Sequence, residues 1–191
     1  MGQPEVLGRE RLWTGKRAAA ERMDARLADG AQVEKEVIVR GDAACVLPYD
    51  AERRCALVVR LFRAPVRAVS EITQSEEACA GMLDPGETPE AAMRREAMEE
   101  MGVRLDALEP VAKVWPSPGI LTERLSLYLA PYRPADRVAE GGGAPGEHEN
   151  ITVVERPLTE LAGDADAGRI LDGKLLVLTQ TLRVRRPDLF S

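Results

Sequence analysis

At 191 residues the chain has the size of one domain, or one domain with a small appendage, and it is long enough to bury a real core. Its 26 Lys and Arg against 32 Asp and Glu give a formal net charge of −6, which leaves no general basic field to gather nucleic acid. The three cysteines, Cys45, Cys55 and Cys79, lack the paired short spacings of a zinc site and read as thiols of a reducing compartment, and the single histidine, His148, argues against Ser-His-Asp or Cys-His catalysis.

The amino terminus has no apolar core of a signal peptide, and no run of eighteen apolar residues occurs. The expectation is a soluble, cytoplasmic protein with neither membrane nor nucleic-acid partners. Residues 16–23 are rich in Ala, Glu and Arg and read as helix by propensity, whereas Met23, Ala25 and Leu27 alternate as a strand does. That segment is left open between the two. The alternation breaks at Asp29-Gly30 and resumes through Val39, which predicts a β-hairpin. The apolar segments 43–49 and 55–63, separated by polar residues 50–54, predict a second pair of strands.

Next comes a helix whose limits are written in its flanks. Thr88 is the N-cap, Pro89 the first helical position, Glu90 an acid in the first turn and Gly102 the stop. Strand character returns in 103–114, 125–130 and 151–154. Residues 140–150 form a Gly-rich loop by composition, and 157–168 and 174–185 are helical, with Leu175, Leu178 and Leu182 on one stripe. Strands interrupted by one helix and closed by two more predict an α/β (α+β) sandwich.

Chemistry concentrates in residues 81–103. Glu96, Glu99 and Glu100 share one helix face, and three like charges so close require a counter-ion. A divalent cation such as Mg²⁺ or Mn²⁺ takes oxygen ligands and can bridge carboxylates to phosphates. Arg95 precedes Glu99 by four and can pair with it, orienting the cluster. Gly81 and the turn Asp84-Pro85-Gly86 allow close backbone approach, aiming the Ala80 carbonyl at a metal and bringing Glu87 back toward the helix. A helix face rich in Glu and Arg is by default solvated surface, so spacing decides between the readings.

The spacing is G-x5-E-x7-R-E-A-x-E-E-x-G-V, from Gly81 through Glu87, Arg95, Glu96, Glu99, Glu100 and Gly102 to Val103. It matches the Nudix box at every position, and seven such identities would arise by chance in a chain this long on the order of once in a million times. The chain therefore resembles the Nudix hydrolases. That resemblance implies an α/β/α sandwich with a mixed sheet, here carrying an amino-terminal β appendage. It also implies hydrolysis, by water and without a covalent intermediate, of a diphosphate linked to a nucleoside. Glu96 and Glu100 become the principal metal ligands, with the Ala80 carbonyl, Glu99 and Glu87 as auxiliaries.

Flanking residues are similar to the nucleoside-diphosphate-sugar branch of that family. They are 77–84 before the box, Pro116 to Gly119 with Thr122-Glu123 after it, Pro118 sixteen residues beyond Gly102, and Asp172-Gly173-Lys174. The branch implies ADP-ribose first and GDP-mannose close behind, and a general base from a late loop glutamate, which is Glu147 or Glu149. His148 between them is the lesser candidate. The branch also implies a homodimer through an amino-terminal segment, so the expected division is 1–42 for that segment and 43–191 for the catalytic domain. Arg60, Arg63 and Arg67 are candidate phosphate ligands, Glu123 a substrate contact, and Trp13, ahead of Trp115, a base-stacking residue. Competing expectations are a Nudix-fold regulatory module without turnover, and a hydrolase of dNTPs or dinucleoside polyphosphates.

Overall fold

The computed structural model describes residues 2–143 and 150–191, so Glu147, His148 and Glu149 lie outside the described residues. The chain divides into two compact units, Met1–Asp42 with Val114–Leu125, and Ala43–Lys113 with Ser126–Ser191.

The first unit is an antiparallel sheet ordered β1 (Glu5–Thr14), β2 (Ala19–Arg26), β3 (Gln32–Val39). The open question over 16–23 is answered from residue 19 onward as strand. β2 is hydrogen-bonded on both sides, and Ala19, Glu21 and Met23 alternate inward as a buried row. Helix propensity amounts to tenths of a kcal/mol per residue, and tertiary pairing overrides it. The β2–β3 turn forms at the expected place, with Leu27 N donating to Ala31 O at 2.8 Å and Gly30 at φ +89°. β1 was not anticipated. Residues 114–125 complete this unit, since Ile38 N donates to Ile120 O at 2.8 Å and Thr122 N to Ile38 O at 3.1 Å.

The second unit is built on a seven-stranded sheet. Its path is β10 (Thr152–Pro157), β5 (Cys55–Leu61), β4 (Ala43–Asp50), β9 (Leu125–Pro131), β8 (Glu109–Val114), with β6 (Ser75–Glu77) on β5 and β7 (Cys79–Met82) on β4. Every residue of β4 is buried, as are all of β5 except Arg60, so both faces of these strands are covered. One face packs Ala44, Val46, Leu57 and Val59 against Met93, Ala97 and Met101 of α2 (Pro89–Met101). Helix α4 (Gly173–Arg185) also contacts β4 and buries Leu175, Leu178 and Leu182, while α3 (Leu158–Asp166) packs on α4 and β10. This is the expected three-layer arrangement.

Two details depart from expectation. Residues 103–108 are not strand, because Arg104 N is used by Asp136 O at 2.9 Å, leaving β8 to begin at Glu109. The strand predicted to run through residue 63 stops at Leu61, and a short helix, α1 (Ala64–Val69), with Pro65 in its first turn, comes next; no side chain caps its start. Among the described residues no helix is long and apolar enough to cross a membrane.

Candidate active site

Helix α2 is delimited as its flanks predict. Thr88 Oγ1 accepts from Ala91 N at 3.2 Å, Pro89 opens the first turn, and Gly102 ends the helix at φ +67°. On this helix Met93, Ala97 and Glu100 occupy positions i, i+4 and i+7 of the buried stripe, so Glu100 is carried into the interior with only 5% of its surface exposed. A buried carboxylate is costly without compensating partners. Cys79 of β7 lies against it, its thiol hydrogen-bonded to the Glu100 carboxylate. Complete burial, then the charges of Glu100 and Glu96, push that thiol well above its ordinary pKa.

Arg95 ties the remaining acids together. Its Nε and Nη2 donate to the two oxygens of Glu87 at 3.1 and 2.9 Å, Nη1 to Glu96 Oε1 at 2.8 Å and to Glu99 Oε2 at 3.4 Å, and Nη2 also to Met82 O at 3.2 Å. The expected i,i+4 partner Glu99 is thus the most distant of the set. The principal partner is Glu87, eight residues earlier, returned by the turn in which Glu87 N donates to Asp84 O at 2.9 Å and Asp84 N to Glu87 Oε2 at 3.0 Å. Arg95 hydrogen bonds first, and the Asp84 amide second, hold the Glu87 carboxyl below its ordinary value.

Gly81 leaves room here for the Glu96 side chain. A Cβ at this position would overlap the Glu96 carboxylate. Ala80, beside it on β7, pairs in register with Cys45 of β4, which fixes the strand whose carbonyl was expected to face a metal. Among the described residues no three His, Cys, Asp or Glu side chains already converge as a cation cage. The guanidinium of Arg95 provides the counter-charge instead. The donor set nevertheless suits a hard divalent cation, because it offers only carboxylate and carbonyl oxygens. The space kept at Gly81 leaves the Glu96 carboxylate against the strand that carries Ala80.

A second ionic cluster lies where β6 leads into β7. Glu77 of β6 is 6% exposed and accepts a bidentate pair from Arg63, Nε to Oε1 at 2.8 Å and Nη2 to Oε2 at 2.9 Å. Lys174 Nζ stands 3.4 Å from the same carboxylate and 2.7 Å from Asp172 Oδ1. Asp172 also caps α4 through Lys174 N and Leu175 N and accepts from Ala78 N at 3.1 Å. Burial alone would raise the Glu77 pKa, but Arg63 and Lys174 overcome it and hold the carboxyl below its ordinary value. Lys174, noted in the sequence only as part of Asp172-Gly173-Lys174, was given no role there, since its partner is 97 residues away. The only local signal is the N-cap Asp172 beside it.

The other candidates are placed elsewhere. Arg67 is exposed, donating to Ser70 O at 2.6 Å, and Arg60 is paired with Glu76 at 2.8 Å. Trp13 and Glu123 belong to the first unit. Trp13 is 58% exposed on β1, and Glu123 is buried with Arg40 Nε at 3.4 Å. Trp115 is likewise exposed, so neither tryptophan is a core residue.

A NUDIX domain model matches residues 39–174. The chain is 40% identical over 153 residues to the GDP-mannose pyrophosphatase of Cronobacter sakazakii, covering 80% of this chain and 78% of that one. It is 37% identical over 150 residues to the GDP-mannose pyrophosphatase of Citrobacter koseri, covering 78% and 77%, and 34% identical over 164 residues to that of Yersinia pestis, covering 84% and 81%. Among solved structures, a crystal structure of an ADP compounds hydrolase superposes with a TM-score of 0.72 over 97% of both chains at 19% identity, a likeness of fold. With an intact motif on a capped helix, a matched domain and relatives at this identity, the chain belongs to the Nudix family of hydrolases.

Proposed function

We propose that this Nudix hydrolase cleaves the diphosphate bond of a nucleoside diphosphate sugar, giving a nucleoside monophosphate and a sugar phosphate. The observation that carries the reading is the complete box. Glu87, Glu96 and Glu99 are gathered on Arg95 beside the buried Glu100, in a chain 34–40% identical to proteins named GDP-mannose pyrophosphatase. Those names support GDP-mannose as the first substrate to test, ahead of the ADP-ribose that the motif flanks suggest.

Glu96 and Glu100 are the residues that would hold a divalent cation, Mg²⁺ or Mn²⁺, with the Ala80 carbonyl, Glu99 and Glu87 in support. When bound, the cation supplies the positive charge the diphosphate needs and makes a water acidic enough to attack phosphorus. Arg95 gathers three of these carboxylates on one guanidinium and so orients them as a group. In the second unit Arg63, held by Glu77, and Arg67 are the candidate cations for the phosphates; in the first unit Glu123 and Trp13 are candidate substrate contacts. Glu147 or Glu149 accepts the proton of the attacking water; the P–O bond of the anhydride breaks and the bridging oxygen leaves with the other half.

The protein works as a homodimer in a cytoplasmic setting. The apolar side chains Val6, Leu7, Leu12 and Trp13 exposed along β1 support the first statement, and three buried cysteines held as thiols the second. One experiment tests the reading. GDP-mannose, ADP-ribose, UDP-glucose and a dNTP are offered at equal concentration with Mg²⁺ to wild type, Glu147→Gln and Glu149→Gln, and products are resolved. Monophosphate and sugar phosphate should come fastest from GDP-mannose, with kcat lowered about 10²-fold or more in one loop variant. Preference for the dNTP would overturn the substrate class, and two loop variants at wild-type rate would overturn the base.

A further inference from the structure

An α-helix leaves its last four carbonyls without intrahelical donors. At the end of α2 the turn itself serves the first of these, Gly102 N donating to Met98 O, and Val103 N donates to Ala97 O just before them, both at 3.1 Å. The next two carbonyls belong to Glu99 and Glu100, and they are served from elsewhere in the chain. Gly143 N donates to Glu99 O at 3.0 Å and Gly142 N to Glu100 O at 2.9 Å. Just before them, Val138 N and Ala139 N both donate to Gly102 O, at 2.8 and 3.2 Å. Residues 138–143 are therefore laid along the end of the helix that carries the acids.

The three glycines there differ in what they demand. Gly141, Gly142 and Gly143 all adopt positive φ, +78°, +115° and +98°, which L side chains resist. A Cβ on Gly142 would meet nothing nearer than Ile151 O at 4.0 Å. A Cβ on Gly141 would overlap the Glu100 carbonyl oxygen and crowd the Met101 carbonyl carbon. Of these two, Gly141 is thus the one required for the close approach itself.

We propose that Gly141 is a positioning residue: by letting Gly141–Gly143 lie against the Glu99 and Glu100 carbonyls, it fixes the last turn of α2 and so the aim of the Glu100 carboxylate toward a divalent cation. Glu100 stands one residue from the end of its helix, where an uncapped turn frays. The anchor replaces the missing helical donors at the position where the carboxylate must be held. This inference rests on the metal-dependent reading above.

The test compares Gly141→Ala with Gly142→Ala, both at positive φ and the second further from the left-handed region, while only the first intrudes on α2. Binding of Mn²⁺ to the protein is read by the loss of the free-ion electron paramagnetic resonance signal, alongside the melting temperature. Gly141→Ala should weaken Mn²⁺ binding about tenfold or more, as loss of a support behind a ligand does. Gly142→Ala should remain within about threefold of wild type. Equal losses in the two variants, or none, would overturn the anchor. Absence of Mn²⁺ binding by wild type would instead overturn the metal reading.

Should Gly141→Ala fail to fold, hydrogen exchange on the wild type decides the matter. The Gly142 and Gly143 amides should be protected, and more so with Mg²⁺ present, because coupling between anchor and ligand is reciprocal. Exchange at free-peptide rates with and without Mg²⁺ would overturn the proposal.

Discussion

Glu100→Gln should lower kcat/KM for the nucleotide sugar by about 10³-fold, since a cation at this site supplies several kcal/mol of transition-state charge stabilisation and each 1.4 kcal/mol is a factor of ten. The substitution keeps the side chain's shape on a stripe that packs with Met93 and Ala97, so the fold should persist. Removing a charge from a buried position next to Glu96 and Cys79 should leave the melting temperature of the metal-free protein unchanged or slightly higher. The rise in melting temperature on adding Mg²⁺ should disappear, because that rise reports binding to the native state alone. Activity within tenfold of wild type, or an unaltered Mg²⁺-dependent rise, would remove Glu100 from the ligand set.

Arg95→Ala is expected to act on both stability and turnover. It leaves Glu87, Glu96 and Glu99 without their common cation. Because Arg95 is about one-third exposed, the loss is discounted from that of a fully buried pair to about 2 kcal/mol, or about 4–8 °C in melting temperature for a chain of this size. Turnover should fall about 10²-fold in kcat with a smaller change in KM, since the residue orients ligands without touching substrate. Arg95→Lys should recover little, because a single ammonium cannot span Glu87 bidentately and also reach Glu96.

A pH series separates the electrostatic part. The Glu87 carboxyl is held below its ordinary value in the folded protein. Its pairing with Arg95 therefore stabilises the fold fully above the unfolded glutamate pKa, and that contribution is lost as pH falls through the lower folded value. The melting-temperature gap between wild type and Arg95→Ala should be widest near neutrality and close in acid. A gap independent of pH would mean that Arg95 acts through packing of its stem alone.

Much of this architecture is legible in the sequence where the signals are local. The Thr88 cap, Pro89, Gly102 and the spacing of the four glutamates fix both the limits of α2 and the acids it presents, and all lie within one short stretch of chain. The Leu175, Leu178 and Leu182 stripe likewise specifies the buried side of α4. Whatever depends on distant pairing is not legible. The strand at 19–23 requires both β1 and β3 beside it, in a segment whose composition favours helix. Lys174 gains its place only when Glu77, from the other half of the chain, is buried against it. The sequence spacing of Arg95 and Glu99 suggested the nearest helical neighbour, but the turn at Asp84–Glu87 brings a closer and better aligned carboxylate. The same limit explains Gly141–Gly143. A Gly-rich stretch signals a loop by composition, and only the folded chain shows it satisfying the carbonyls of Glu99 and Glu100.

The reaction itself is tested most directly by hydrolysis of GDP-mannose with Mg²⁺ in ¹⁸O-labelled water, with the products weighed by mass spectrometry. Attack of water on phosphorus should place one ¹⁸O atom in either GMP or mannose 1-phosphate, with both products formed in equal amounts and no free mannose. Labelled free mannose together with GDP would mean cleavage at the sugar carbon, and would contradict diphosphate hydrolysis as the chemistry of this site.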